Sequence, residues 1–430
     1  MTRRNPLWRL IAILMALGLV AAACGSDSKS ASSDTTAKPA GGTDAGDGTL
    51  KIGYLLPETG DLSFLGPPMI KGVEMAIRDI NAAGGVNGKD VVLAQADDGT
   101  DPDVASAAVD KLITDENVDA VIGAAATSVT MAVIDKISGA KRVECSPSNT
   151  GSGLTTYADN GYYFRTAPPD NLQGQALGDL ITDDGKSNVG IIAINNDYGK
   201  GFAKDLAARL TDNGATVAAQ AFYDPKGSDF AAEAKQVADA KPDAVAVIAY
   251  PDTGGQVFSA MIANKIGPAD VGVYITDGLQ ANDLYTKIDA KNPAVTQGVR
   301  GTAPSAAPKG GASFFPAAFK AFAPDVDTIY SAHAYDCTIL VALGAIAAKT
   351  DDPTAIRDAI NDLTQGGDKC DTFKKCAALL ADGKDIDYDG ASGPLNFTKA
   401  GEPGAGSYDI YEYGADGKYA VESQVVIAPK

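Results

Sequence analysis

The sequence predicts an α/β protein made of two Rossmann-like lobes with parallel sheets flanked by helices. Short apolar strands alternate with helical stretches of about ten to fifteen residues, the pattern of parallel sheets covered on both faces. That alternation runs through one cycle from Leu50 to Ser146 and starts again at Asn188. The chain has 430 residues and 45% hydrophobic content, enough for a pair of domains with real cores.

In the first cycle, LKIGYLL (Leu50–Leu56) reads as a buried strand. After the loop PETGDLSFLGPP comes a helix with Ile70, Val73, Ile77 and Ile80 on one stripe. The glycines of AAGGVNG end it. Val91–Ala96 is the second strand, and Asp101-Pro102 opens a helix carrying Val104, Ala108, Leu112 and Ile113. Asp119–Gly123 is the third strand, residues 128–138 a helix, and Arg142–Ser146 the fourth strand. The second cycle has strands Asn188–Ile194, Thr216–Phe222, Asp243–Ala249 and Val271–Thr276, with helices at 199–213, 228–240 and 254–265. A later apolar helix carries Tyr335, Leu340, Leu343 and Ile346, and the tail reads as a hairpin turning at Gly414–Gly417.

The first thirty residues read as an export signal. Arg3, Arg4 and Arg9 precede an apolar run from Leu10 to Val20 and the ending Ala21-Ala22-Ala23-Cys24. The run is shorter than the roughly 20 apolar residues that span a bilayer. Ala-Ala-Cys resembles a lipobox, which makes Cys24 the lipidated first residue of the mature chain and residues 1–23 the signal peptide. Ala21 stands where such boxes favour Leu, and an ordinary secretory signal is the alternative. Residues 25–48 hold no large apolar side chain and read as a disordered tether.

Without residues 1–23 the chain has 33 basic and 55 acidic residues, a net charge of −22. That argues against nucleic acid as a partner, because phosphate binding needs a basic footprint. A single histidine, His333, and the lack of any CxxC argue against a Cys/His metal site or a histidine triad. No GxSxG elbow or GxxxxGK[ST] loop occurs. No cofactor and no enzymatic activity are expected. Cys370 and Cys376 could close a small loop as a disulfide, which would persist outside the cytoplasm. Cys145 and Cys337 lie in apolar segments and read as buried free thiols, with a bond between them as the alternative.

In open parallel sheets ligands bind beyond the carboxyl ends of the strands. After the third strand, Thr127 and Ser128 stand where a helix starts, a place suited to a carboxylate. Ser146, Ser148, Asn149 and Thr150 follow the fourth strand. Capping and turn formation account for these residues equally well. In the second cycle Tyr250 and Asp277 end strands, and Asp277 could hold an ammonium group or simply form a turn.

Read together, KIGYLLPETGDLSFLG, KGVEMAIRDINAAGGVNG, VIGAAATS, SPSNT, YYFRTAPPDNLQGQA, NNDYGKG, AYPDTGG, ITDGL and GASGPLNF resemble the leucine/isoleucine/valine-binding family of type I periplasmic substrate-binding proteins. The resemblance runs from Leu50 almost to the end. It implies that the side chain and N–H of Thr127 bind a ligand α-carboxylate, with Ser128 beside it. It implies that the Ser148 carbonyl meets the α-ammonium, with Asn149 adjacent, and that Thr150 contacts both ends. Asp277 would pair with the ammonium, where well-known members carry Glu, so its reach is shorter. Tyr198 and Tyr250 would close over the ligand, and Tyr330 and Leu65 would line the side-chain pocket.

The resemblance also implies three crossovers, near Thr166, Ala303 and Gly393. The lobes would be residues 50–166 with 304–392, and 167–303 with 393–430. The implied function is capture of a small, zwitterionic amino acid or related solute by hinge closure and delivery to the permease of an ABC importer, with the lipid on Cys24 holding the chain at the outer face of the membrane. A sensor component for a membrane receptor, or a binding protein for an amide or organic acid, is the alternative.

Overall fold

The computed structural model describes residues 46–428, so the signal peptide, Cys24 and the tether up to residue 45 lie outside the described residues. The first part of the chain runs β1 (Lys51–Leu56), α1 (Gly66–Ala82), β2 (Val92–Asp97), α2 (Pro102–Thr114), β3 (Ala120–Gly123), α3 (Thr127–Gly139), β4 (Val143–Ser146) and β5 (Tyr163–Arg165). The second runs α4 (Asp170–Asp183), β6 (Asn188–Ile194), α5 (Asp197–Asp212), β7 (Thr216–Tyr223), α6 (Ala231–Asp239), β8 (Ala244–Ile248), α7 (Pro251–Ala263), β9 (Gly272–Ile275), α8 (Tyr285–Asp289) and β10 (Arg300–Pro304). Then come α9 (Phe315–Phe322), α10 (Ser331–Ala348), α11 (Pro353–Ile360), β11 (Asp368–Cys370), α12 (Phe373–Ala381), β12 (Ile386–Gly390), β13 (Gly393–Pro394), β14 (Gly406–Tyr413) and β15 (Tyr419–Ile427).

The first sheet has the order β2-β1-β3-β4-β5 and is wholly parallel. The second has the order β15-β14-β10-β9-β8-β6-β7. Its β7 to β10 side is parallel, and β14 and β15 join antiparallel as the anticipated hairpin. A small third sheet joins β11, β12 and β13. The central strands β3, β4 and β8 are buried along their whole length, as strands covered on both faces must be.

The helix starts follow their capping residues. Asp101 accepts hydrogen bonds from the backbone N–H groups of Asp103 and Val104, and Pro102 opens α2. Asn196 accepts from the N–H of Gly199 at 2.9 Å and so starts α5 two residues earlier than the apolar pattern indicated. Asp352 caps α11 in the same way. The last residue of the expected tether is bound to the body, because the N–H groups of Gly48 and its neighbour Thr49 donate to Asp351 Oδ2 at 2.6 and 2.9 Å.

Helix α10 is apolar all round and sits in the core against α1. Gly72 permits that approach, since a Cβ there would lie 2.3 Å from the Ser331 carbonyl oxygen. Among the described residues it is the one helix long and apolar enough to cross a membrane, and 83% of that stretch is buried inside the fold. It is therefore a core helix. Its Cys337 is bonded to Cys145 on β4, so the expectation of two free thiols is corrected. Both side chains are buried, and the packing of α10 behind the first sheet brings them together across 192 residues of sequence. Cys370 and Cys376 are bonded as anticipated.

Several buried carboxylates are held above the ordinary aspartate range, chiefly by burial. Asp119 is pushed up to about 7, Asp98 to about 6 and Asp336 to about 6. Hydrogen bonds limit the rise. Asp336, for instance, accepts from Tyr388 Oη, Ala391 N, Ser392 N and Ser392 Oγ at 2.5–2.9 Å. In the unfolded chain these groups titrate near 3.8. Between about pH 4 and pH 7 the folded chain therefore holds more protons than the unfolded one, and stability falls as pH rises. Thermal unfolding is expected to occur at a higher temperature at about pH 5 than at about pH 8, a difference on the order of 5 kcal/mol in unfolding free energy for the three groups together. A midpoint that instead climbs with pH contradicts this account of the three carboxylates.

Candidate ligand-binding site

The loops after the carboxyl ends of both sheets meet around one cavity. Gly123 ends β3 with φ +134°, and a Cβ there would lie 2.0 Å from the Leu55 carbonyl oxygen. Only glycine fits, and the chain turns out of the sheet into Ala124-Ala125-Ala126 and the start of α3. That turn is pinned from the next loop. Ser146 Oγ donates to Ala124 O at 2.7 Å, Ser148 Oγ to Ala125 O at 3.0 Å, and Asn149 Nδ2 to both carbonyls at 3.1 and 2.8 Å.

Thr127 is the first residue of α3, and its Oγ1 accepts from the N–H of Gly151 at 3.2 Å. That bond leaves its own hydroxyl proton to donate elsewhere. The first intrahelical bonds of α3 come from the N–H groups of Val129 and Thr130, so those of Thr127 and Ser128 have no backbone partner. Two free N–H groups and a hydroxyl at the positive end of a helix form an anion-binding cradle.

On the second sheet, Asn196 caps α5 and Gly199 packs so closely that a Cβ would lie 2.0 Å from Ile194 O. This tight start aims Tyr198 inward, where its ring stacks on Tyr250 with centroids 5.7 Å apart and planes 7° apart. Tyr250 sits just before α7. Asp277 follows β9 at the start of a short 3₁₀ turn and is 5% exposed. Its Oδ1 accepts from Gln173 Nε2 at 2.9 Å and Tyr198 Oη at 3.4 Å, and its Oδ2 from Tyr330 Oη at 2.9 Å. Burial raises its pKa, and the donors from Tyr330, Gln173 and Tyr198 pull it back toward the ionised form. A carboxylate offers about four acceptor positions, so room remains for a further donor.

The cavity is lined by Thr127, Ser148, Thr150, Tyr198, Tyr250 and Asp277, with Leu62 and Leu65 as its apolar wall and Ala125, Ala126 and Gly278 completing it. Its volume is 20 Å³, room for about one water. The 3₁₀ turn after β4 also meets α5, where Ser152 Oγ donates to Asp205 Oδ2.

Seven of the anticipated residues thus share one cavity, and three do not reach it. Ser128 is half-buried and offers only its N–H to the helix start. Asn149 is fully occupied, because Nδ2 holds the β3 loop and Oδ1 accepts from Tyr163 Oη at 3.0 Å. Tyr330 stands behind Asp277 rather than in the cavity wall. Gln173 was not anticipated. Its Nε2 also donates to Thr302 O at 2.9 Å, which fixes both the amide and the Asp277 carboxylate. The signal lay in YYFRTAPPDNLQGQA, but only the presence of α4 reveals that Gln173 points into the core.

The sequence model of the family described as periplasmic binding protein matches residues 49–418. The chain belongs to that family. Among relatives, this binding protein is 27% identical over 380 residues to the chemotactic signal transduction system substrate-binding protein BasB of Halobacterium salinarum, covering 83% of this chain and 85% of that one. It is 27% identical over 382 residues to Leu/Ile/Val-binding protein homolog 3 of Brucella melitensis, covering 86% and 92%. Its fold matches that of the leucine binding protein LivK from Thermotoga maritima with a TM-score of 0.74 at 21% identity, covering 89% of this chain and 99% of that one. The binding protein is thus an extracytoplasmic solute-binding protein by family.

Proposed function

We propose that this binding protein captures a small zwitterionic amino acid between two lobes and hands it to the permease of an ABC importer. The observation that carries the reading is a matched pair of charge sites around one cavity. The free N–H groups and Thr127 hydroxyl at the start of α3 suit a carboxylate, and Asp277, with acceptor capacity left over, suits an ammonium. Among the described residues no donor meets the Ser148 carbonyl, which supports its use as a second ammonium acceptor. Stacked Tyr198 and Tyr250 cover the ligand, and Leu62 and Leu65 meet its apolar part.

The carboxylate cradle belongs to the first sheet and the ammonium site to the second. Contacts from both exist together only when the lobes are close, so the ligand draws the population toward closure. The lobes are residues 50–166 with 304–392, and 167–303 with 393–430. A cavity of 20 Å³ is too small for an amino acid, so entry requires the lobes to part. The lipid on Cys24 and the tether keep the trap beside its membrane partner and raise its effective concentration there. Likeness to a chemotactic substrate-binding protein supports a second reading, in which the closed form is presented to a membrane receptor.

A thermal-shift screen of amino acids, amides and small organic acids identifies the ligand, since binding raises apparent stability by mass action. For the amino acid that gives the largest shift, Asp277→Asn is expected to weaken binding by about 1.5–3 kcal/mol, the worth of a hydrogen bond to a charged group. Calorimetry showing unchanged affinity removes Asp277 from the ammonium site.

A further inference from the structure

A second cavity, of 140 Å³, shares no lining residue with the first. Its walls include segments through which the chain passes between the two sheets. Thr166 and Pro168 lie between β5 and α4, Ser392 to Asn396 lie at and around β13, Pro403 and Ala405 lie between β13 and β14, Lys309 follows β10, and Gly406, Ser407 and Val426 belong to β14 and β15. His333, near the start of α10, forms its inner wall.

Two independent observations give this cavity a chemical character. The first is charge. The chain carries 55 acidic against 36 basic residues, yet no Asp or Glu lines the cavity and a lysine does. Among the described residues neither the Lys309 ammonium nor the Asn396 side-chain amide has a hydrogen-bonding or ionic partner. The second is an unsatisfied atom. His333 is 2% exposed, and its Nδ1 has no hydrogen-bond partner. Burial pushes the ring's pKa down to about 3, so at neutral pH it is an uncharged imidazole. Leaving such an atom unpaired costs about 1–3 kcal/mol. Two of the nearby hydroxyl protons are already committed, that of Thr166 to His333 O at 2.9 Å and that of Ser392 to Asp336 Oδ2 at 2.5 Å. The donors left for a ligand are those of Lys309, Asn396, the Ser407 hydroxyl and the imidazole.

We infer that this cavity is a second binding site, for a small oxyanion held by Lys309 and His333, and that its occupancy biases the opening of the amino-acid cleft. The volume admits an oxyanion together with a few waters. Because the walls combine connecting segments with β14 and β15 of the second sheet, a lobe movement reshapes the site, and an anion that fits one arrangement better shifts the balance toward it. The coupling rests on the two-lobe reading above, whereas the binding does not.

His333 is the single histidine of the chain, so ring-labelled histidine in the full-length protein gives one imidazole signal. Acetate and inorganic phosphate are titrated separately at fixed pH and ionic strength while that signal is followed by NMR. The expected result is a saturable displacement with at least one of them, and an affinity about tenfold weaker in Lys309→Gln, the loss of one charge-assisted bond. Lys309 is exposed, so the substitution leaves the fold intact. No displacement, a purely linear one, or the same saturation in Lys309→Gln overturns the site. Saturable binding that leaves the affinity of the amino-acid cleft unchanged overturns the coupling alone.

Discussion

Replacing Cys145 and Cys337 together by alanine is expected to lower the unfolding free energy by about 5 kcal/mol. The bond closes a loop of 192 residues. In the chain-entropy description the stabilisation grows with the logarithm of loop length and reaches about 4.7 kcal/mol at roughly 100 residues. The Cys370–Cys376 bond, separated by only 6 residues, is worth about 2 kcal/mol on the same basis. Denaturant titration of the two double variants therefore gives a ranking as well as a size. Equal losses, or a larger loss at the short loop, contradict the entropic account. The long bond also has a place in the architecture. It ties β4, whose end carries the Ser148–Thr150 loop, to α10, whose first turn follows the Tyr330 that bonds to Asp277.

Arg165→Met is expected to cost about 3–5 kcal/mol, because it strands a buried carboxylate. Arg165 is fully buried at the end of β5. Its Nε donates to Glu402 Oε2 at 2.9 Å, and its Nη2 donates to the same oxygen and to Thr155 Oγ1 at 2.8 Å. Its Nη1 donates to Gly151 O at 3.0 Å and Asn149 O at 3.4 Å. The guanidinium thus braces the loop that carries Ser148 and Thr150 into the cavity. Ligand affinity is expected to fall along with stability. The double variant Arg165→Met with Glu402→Leu removes both charges and should recover part of the stability, because apolar replacement of a buried pair is often close to neutral. If the double variant is as unstable as the sum of the single ones, the ion pair is not the source of the loss.

How much of this was legible in the sequence differs from element to element. The central strands β3, β6 and β8 are runs of Val, Ile and Ala too short and too uniformly apolar for surface helices, and their positions hold to within a residue or two, whereas β5 (YFR) and β10 (RGTAP) carry no such run and were not anticipated. Helix α4 was not anticipated. Its stretch DNLQGQALGDLITD has glycines four apart, which weaken the helical signal. Those glycines serve packing, since Cβ atoms at Gly174 and Gly178 would lie 3.1 Å from Leu206 N and 2.6 Å from Arg209 Cγ of α5. With α4 hidden, Gln173 and its grip on Asp277 were hidden too. The Cys145–Cys337 bond could not be read either, because connectivity follows from which elements the fold brings together rather than from spacing. Thr127 and Asp277 were legible as strand-end residues, but each had an equally good local explanation. The cavity that brings them together comes from tertiary packing.

The central claim is that one cavity recognises both charged ends of an amino acid. The most direct measurement is a calorimetric comparison of the tightest-binding amino acid with two truncated analogues, the amine that lacks its carboxylate and the acid that lacks its ammonium. Each truncation removes charge-assisted hydrogen bonds worth about 1.5–3 kcal/mol, so each analogue is predicted to bind at least about tenfold more weakly than the amino acid. A deaminated acid, aliphatic or aromatic, that binds as tightly as the best amino acid contradicts the claim.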